Sequence, residues 1–183
     1  LEVAERMDAA GDVVTPLDEA SVRTAADTLL AVGCESVVIH FLHAYANPDH
    51  EKRAAEIVTG MWPNDHVTMG HALLSESREF ERGVTAAVNA SVQPLLERYI
   101  GRLTDELSGQ GYGGEVLVMN GNGGMVSAKD VAREAAKTVM SGPASGVMAA
   151  AYTGRQAGIT NLLTYDMGGT STDVALILGA EPA

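Results

Sequence analysis

The run Leu162-Leu163-Thr164-Tyr165-Asp166-Met167-Gly168-Gly169-Thr170-Ser171-Thr172-Asp173-Val174-Ala175-Leu176-Ile177-Leu178 decides how the rest of the chain is read. Two apolar runs of strand length flank a bend with two glycines, three hydroxyl residues and two aspartates, which predicts a β-hairpin with its chemistry at the turn. Gly168 and Gly169 let the backbone turn tightly and leave no side chain between the main-chain N–H groups and an incoming anion. Thr170, Ser171 and Thr172 add hydroxyl donors, and together these groups suit phosphate. A Walker A loop needs Gly-Lys-Ser/Thr, and a dinucleotide fingerprint needs a helix after its glycines; here a strand follows and there is no lysine. Asp166 closes the first strand and Asp173 opens the second. Carboxylates flanking a phosphate site call for a divalent cation such as Mg²⁺ between them, with Asp166 as its ligand or as the group that orients a nucleophile. On the residue pattern alone, a Gly-rich turn in which Asp and Thr only cap the bend is an equal reading.

Outward from this stretch the chain is acidic. Twelve Lys plus Arg stand against 24 Asp plus Glu, a formal charge of -12, which argues against nucleic acid or an anionic membrane surface as partner. A phosphate site here must therefore work through backbone donors and a metal. The one cysteine, Cys34, excludes an internal disulfide framework and any multi-cysteine zinc site. No segment reaches transmembrane length and the N-terminal residues carry no basic-then-apolar signal, so the expected compartment is the cytoplasm.

Upstream, the pattern predicts α/β layering. Leu1 to Val14 reads as two short extended runs. Asp18 to Val32 is an amphipathic helix capped by Asp18 and stopped by Gly33. A buried strand follows over Ser36 to Leu42, then a helix opened by Asn47-Pro48 and running to Thr59, then a strand at His66 to Met69, an order that suggests parallel pairing with right-handed crossovers. From Phe80 to Leu107, Val84, Val88, Val92, Leu95, Leu96, Tyr99, Leu103 and Leu107 step by three or four, which predicts one long helix with that stripe inward and a kink or break near Pro94. Glu115 to Asn120 is a further strand, Ser127-x-x-Asp130 opens a helix to about Ala136, and Ala144 to Ala157 is a small-residue helix suited to close packing on a sheet.

Three constellations have two readings each. His40, His43, His50, His66 and His71 lack metal-ligand spacing and read as structural. Arg78, Glu79, Glu81 and Arg82 fall at i, i+3 and i+4, which favours intrahelical ion pairs; Arg78 and Glu81 binding a polar substrate is the alternative. Asn122, in the bend Gly121-Asn122-Gly123-Gly124, sits where a parallel sheet would present ligands at its carboxyl ends. It can hydrogen-bond a substrate carbonyl or phosphate but cannot accept a proton, and a plain left-handed turn explains it equally.

Asp-Met-Gly-Gly-Thr-Ser-Thr-Asp-Val-Ala, starting at Asp166, resembles the second phosphate motif of the hydantoinase A/5-oxoprolinase family of the actin-like ATPase superfamily. The stretches from Phe41 to Glu51, Arg78 to Arg82, Val118 to Gly124 and Ser141 to Gly146 resemble other segments of that family in the same order. The resemblance implies a partial actin-like (ribonuclease H-like) fold, with residues 1–158 finishing a first lobe and residues 159–183 opening a second. It also implies a longer protein, with an Asp-x-Gly-Gly-Thr loop upstream and an adenosine region downstream. ATP and Mg²⁺ follow as cofactors, a hydantoinase B-like subunit or domain as partner, and a cyclic amide as substrate. In such a reaction ATP phosphorylates the amide carbonyl and water opens the ring, with Asp166 and Asp173 as catalytic carboxylates and Gly168 to Thr172 on phosphate. The ATP-using subunit of a ketone carboxylase shares these motifs, and a non-catalytic nucleotide-binding module is a further alternative. Where the family prefers Thr and Ser after its Arg-Glu-x-Glu-Arg stretch, this chain has Gly83-Val84-Thr85-Ala86.

Overall fold

The computed structural model describes residues 1–183, which form two compact units: Leu1–Gln110 with Ala132–Ala136, and Gly111–Val131 with Lys137–Ala183.

In the first unit, strands β1 (Arg6–Met7) and β2 (Val13–Thr15) pair antiparallel. Helix α1 (Glu19–Ala31) starts where Asp18 Oδ1 accepts from Ala20 N at 3.0 Å, and ends at Gly33, whose φ of 81° places it in the left-handed region that favours glycine. Strand β3 (Val37–Ile39) and helix α2 (Asp49–Thr59) follow, the helix entered through Asn47, whose Oδ1 accepts from Asp49 N at 3.0 Å. Strand β4 (Val67–Met69) lies parallel to β3, with Ile39 opposite Met69. Val22 and Ala26 of α1, Val37 and Ile39 of β3, and Ala54, Ile57 and Val58 of α2 close over Trp62 as one core. The parallel layering expected from the sequence is therefore present, as a two-stranded sheet. The strands form four small sheets, three of two strands and one of three.

After the single turn α3 (Gly70–Leu73), helix α4 (Glu79–Gly109) continues across Pro94 as one element, so of the kink or break expected there the break does not occur. Its inward face also differs from the expected stripe. Val84, Val88, Leu95 and Tyr99 are exposed, whereas Arg82, Ala86, Asn89, Ala90, Gln93, Pro94 and Ile100 are buried. The reason is hydrogen bonding. Asn89 Nδ2 donates to Thr68 Oγ1 and to Arg133 O, both at 3.3 Å, and its Oδ1 accepts from Ala136 N at 3.0 Å. Polar backbone groups packed against a helix need such partners, and an apolar stripe could not supply them.

In the second unit, β5 (Leu117–Met119) and β6 (Met125–Ser127) form an antiparallel hairpin, followed by α5 (Ala128–Val131); the continuous helix expected there gives way to a 3-10 stretch (Ala132–Thr138), of which Ala132–Ala136 belongs to the first unit. Helix α6 (Ser141–Ala157) ends at Gly158, φ 75°, and packs on the predicted hairpin, β7 (Leu162–Met167) and β8 (Thr172–Leu178), to which β9 (Glu181–Pro182) adds a third strand. Gly154 makes that packing close, since a Cβ there would stand 2.3 Å from Leu162 Cδ1. On the other face of the hairpin Leu163, Tyr165, Met167, Val174, Leu176 and Leu178 are exposed.

Candidate functional site

The β7–β8 hairpin brings most of the predicted site together. Asp166 pairs directly with Asp173 and Met167 with Thr172, and the turn is closed by Gly168 N donating to Ser171 O at 2.9 Å. Thr164 and Ala175, two pairs further from the turn than the aspartates, exchange two hydrogen bonds of 3.2 Å through Thr164 Oγ1. Like charges directly opposite on a ladder destabilise it unless something of opposite charge joins them. Two carboxylates side by side beside exposed hydroxyls are a donor set for a hard cation that takes its remaining oxygens from water or phosphate, so the residues present fit Mg²⁺. No group of three or more His, Cys, Asp or Glu side chains gathers anywhere to hold a metal with protein ligands alone.

The turn does not need glycine at either position, contrary to the expectation that both let the backbone bend tightly. Neither Gly168 nor Gly169 has a positive φ. A Cβ on Gly169 would meet nothing within 4 Å, and one on Gly168 only Ser171 O at 3.7 Å. The fold itself does not require glycine at either position, so the bare backbone is open for something outside the protein to approach. Beside the turn lies a cleft of about 600 Å³ lined by Pro143, Val147, Thr164, Asp166 and Asp173, among others.

The other predicted residues lie elsewhere. Asn122 sits in the turn of an antiparallel hairpin, which corrects the expectation of a parallel-strand end, and its Oδ1 accepts from Gly124 N at 2.9 Å. The neighbouring Gly121 is required by packing, since a Cβ there would fall 2.2 Å from Val139 O. Arg78 and Glu81, at the start of α4 in the first unit, pair with each other at 3.4 Å on the surface, the ion-pair reading of that stretch.

Sequence reasoning missed a buried polar cluster in the first unit. His40 follows β3 and His71 follows β4, so two imidazoles stand at the carboxyl ends of adjacent parallel strands. Glu51 of α2 lies between them with none of its side chain exposed: Oε1 accepts from Phe41 N at 2.9 Å, and Oε2 accepts from His71 N at 2.9 Å and meets His71 Nδ1 at 2.6 Å. His40 Nδ1 is 3.9 Å from Glu51 Oε1. Arg82, wholly buried, donates to Phe41 O at 3.0 Å and Glu76 O at 2.8 Å. Burial, and secondarily the charge of Arg82, push the His40 pKa below its ordinary 6.5, against the opposing pull of Glu51 and Glu79. Gly83, in the middle of a helix, is the local signal that could have found this cluster, because a Cβ there would lie 3.0 Å from the His40 ring.

An α/β chain with an acidic, Gly-rich hairpin of this kind matches known proteins over nearly its whole length. The family model described as Hydantoinase/oxoprolinase matches residues 82–183, more than half of the chain, and the model of that family's N-terminal region matches residues 1–62. The chain belongs to the hydantoinase/oxoprolinase family. It is 38% identical over 183 residues to the acetophenone carboxylase gamma subunit of Aromatoleum aromaticum, with 97% of this chain and 25% of that protein covered. It is 34% identical over 171 residues to the caprolactamase subunit alpha of Pseudomonas jessenii, with 93% and 25% covered. Among solved structures, nucleotide-free acetone carboxylase superposes with a TM-score of 0.83 at 34% identity, over 98% of this chain and 26% of that one. The chain thus spans about a quarter of the length of these two curated relatives, and its fold is part of the α/β, actin-like architecture the sequence implies.

Proposed function

We propose that this chain forms part of the ATP-using subunit of an enzyme that opens a cyclic amide, with residues 159–183 opening the second lobe of an actin-like ATPase. The directly opposed carboxylates of Asp166 and Asp173 carry this reading, beside two glycines whose bareness serves nothing within the fold. Asp166 and Asp173 would hold Mg²⁺, the N–H of Gly169 would meet a phosphate oxygen while Gly168, whose own N–H closes the turn on Ser171 O, leaves room for the phosphate to approach, and Thr170, Ser171 and Thr172 would donate to the same phosphate. Bound ATP would supply a phosphoryl group to the amide oxygen, turning a poor electrophile into one that water attacks. The hairpin's part is placement and charge compensation. The family match and its ATP-dependent relatives support the use of ATP.

A second reading, the ATP-using subunit of a ketone carboxylase, draws on the 38% identity to an acetophenone carboxylase subunit, which exceeds the 34% to caprolactamase. In either case a partner subunit completes the enzyme. The test uses the intact protein with its partner, ATP and Mg²⁺. One arm offers hydantoin, 5-oxoproline or caprolactam, the other acetophenone or acetone with bicarbonate, and phosphate release is followed in both. Turnover with a cyclic amide is the expected result. Turnover only with ketone and bicarbonate replaces the first reading by the second, and ATP binding without turnover in either arm leaves a nucleotide-binding module.

A further inference from the structure

We propose that Glu51 and His71, with His40 beside them, form a general-base site at the carboxyl end of the β3–β4 pair, where His71 Nε2 takes the proton of a water molecule that attacks a carbonyl carbon. The site rests on the hydrolytic reading above for its substrate class, an activated amide, and on the first unit alone for its geometry.

The arrangement of proton donors on Glu51 fixes the chemistry. A carboxylate offers only acceptors, so the 2.6 Å contact places the His71 proton on Nδ1 and the lone pair on Nε2. Clamping the two strand ends needs only the bonds to Phe41 N and His71 N. The bond to the imidazole adds nothing to that clamp; it orients a ring and stabilises the positive charge the ring takes on with a proton. Exposure follows the same division of labour. Glu51 is fully buried, whereas His71 and His40 keep 14% and 26% of their side chains open. Carboxyl ends of parallel strands are also where α/β proteins place ligands.

His40 is a built part of this end. A Cβ on Gly70 would stand 2.8 Å from its Nδ1 and a Cβ on Gly83 3.1 Å from its Nε2, so the ring lies in a slot that glycine on both sides leaves open. Its Nδ1 and the Nε of Arg82 are buried polar atoms without a hydrogen-bond partner inside the protein. Burial disfavours the charged form of His40 and so works against a second positive charge beside His71.

In the step itself, the His71 Nε2 lone pair accepts a proton from water while the water oxygen bonds to the carbon that carries the phosphorylated oxygen, and the C=N electron pair moves onto the amide nitrogen. That nitrogen receives the proton back from His71 and the second proton from the new hydroxyl as the C–N bond breaks; the acyl phosphate left behind loses its phosphate to a second water, and nothing is oxidised or reduced.

The first test uses diethyl pyrocarbonate on the 183-residue chain, with modified histidines located by peptide mass. His71 is expected to react faster than His50 or His66, and Glu51→Gln to slow it about 10-fold. A His71 no more reactive than those two overturns the site. The second uses the intact enzyme with partner, ATP and hydantoin. His71→Gln is expected to lower kcat about 100-fold at nearly unchanged KM and unchanged melting temperature, to remove the acid limb of the pH profile, and to recover part of the rate with added imidazole. His71→Gln turnover near wild type overturns the dyad and leaves the proposed function standing. A wild type without ATP-driven turnover overturns that function, while the diethyl pyrocarbonate result still judges the base. Should Glu51→Gln fail to fold, Gly83→Ala displaces the His40 ring and is expected to alter kcat with the Glu51–His71 bond kept; its downfield proton resonance reports on that bond.

Discussion

Two groups of carboxylates, one in each unit, are handled in opposite ways. Glu51 is wholly buried, and its two oxygens take up three N–H groups, two from the backbone and one from an imidazole. Asp166 and Asp173 stand opposite each other at an outer turn, and no protein cation pairs with either. The protein itself satisfies the first charge, so it holds the fold together. The second pair is left to be satisfied from outside. Burial of a carboxylate with its donors thus serves structure and positioning, while the uncompensated surface pair is where the proposed cation would bind.

The contrast can be broken most forcibly at Glu51. Glu51→Ala leaves two buried N–H groups and an imidazole without their acceptor, and is expected to cost about 3 to 5 kcal/mol, read from denaturant melts. Asp166→Asn should do the reverse. Thermal stability stays within about 0.5 kcal/mol of wild type or rises slightly as cross-strand repulsion is relieved. ATP turnover by the intact enzyme, in contrast, falls by the equivalent of about 2 to 4 kcal/mol. If Asp166→Asn unfolds the protein or keeps its turnover, the hairpin carboxylates are structural after all.

Glycine substitutions sharpen the same comparison. Gly154→Ala places a Cβ 2.3 Å from Leu162 Cδ1 and 2.7 Å from Ile159 O, and should cost about 1 to 3 kcal/mol in a melt. Gly169→Ala meets no atom within 4 Å and should leave the melt unchanged while raising the apparent KM for ATP.

The smallest effect is a pH dependence. Because the folded His40 pKa lies below its ordinary 6.5, the unfolded chain binds the proton more readily. The stability this gives is present above that value and is lost as pH falls through the folded value. Melting temperatures between about pH 8 and pH 5 should therefore drop less in His40→Gln than in wild type; an equal drop assigns the acid sensitivity to other groups.

How much of this was legible in the sequence depended on distance along the chain. The β7–β8 hairpin carries its chemistry in eight consecutive residues, 166–173, so its strands, turn and aspartates could be read directly. Helices α1 and α2 were equally plain, since Asp18, Asn47 and Gly33 are local signals. Glu51 was not, because it sits in the charged run Asp49-His50-Glu51-Lys52-Arg53, which looks like a solvated helix face. Only the pairing of β3 with β4 brings His40 and His71 to its two oxygens. The inward face of α4 escaped for a related reason. Asn89 is buried because the backbone of 133–136, far along the chain, needs its amide, and periodicity of apolar residues carries no trace of that demand.

The apolar outer face of β7–β8 has a colloidal consequence. A formal charge of -12 makes copies of this chain repel one another, while Leu163, Tyr165, Met167, Val174, Leu176 and Leu178 offer them a surface to share. Electrostatic repulsion acts over about 30 Å at 0.01 M ionic strength and about 10 Å at 0.1 M, whereas apolar contact is not screened at all. Added salt therefore removes the force that keeps the copies apart and leaves the one that joins them. Light scattering should show the chain dispersed in dilute buffer and self-associating as sodium chloride is raised, with Leu163→Lys extending the range over which it stays dispersed.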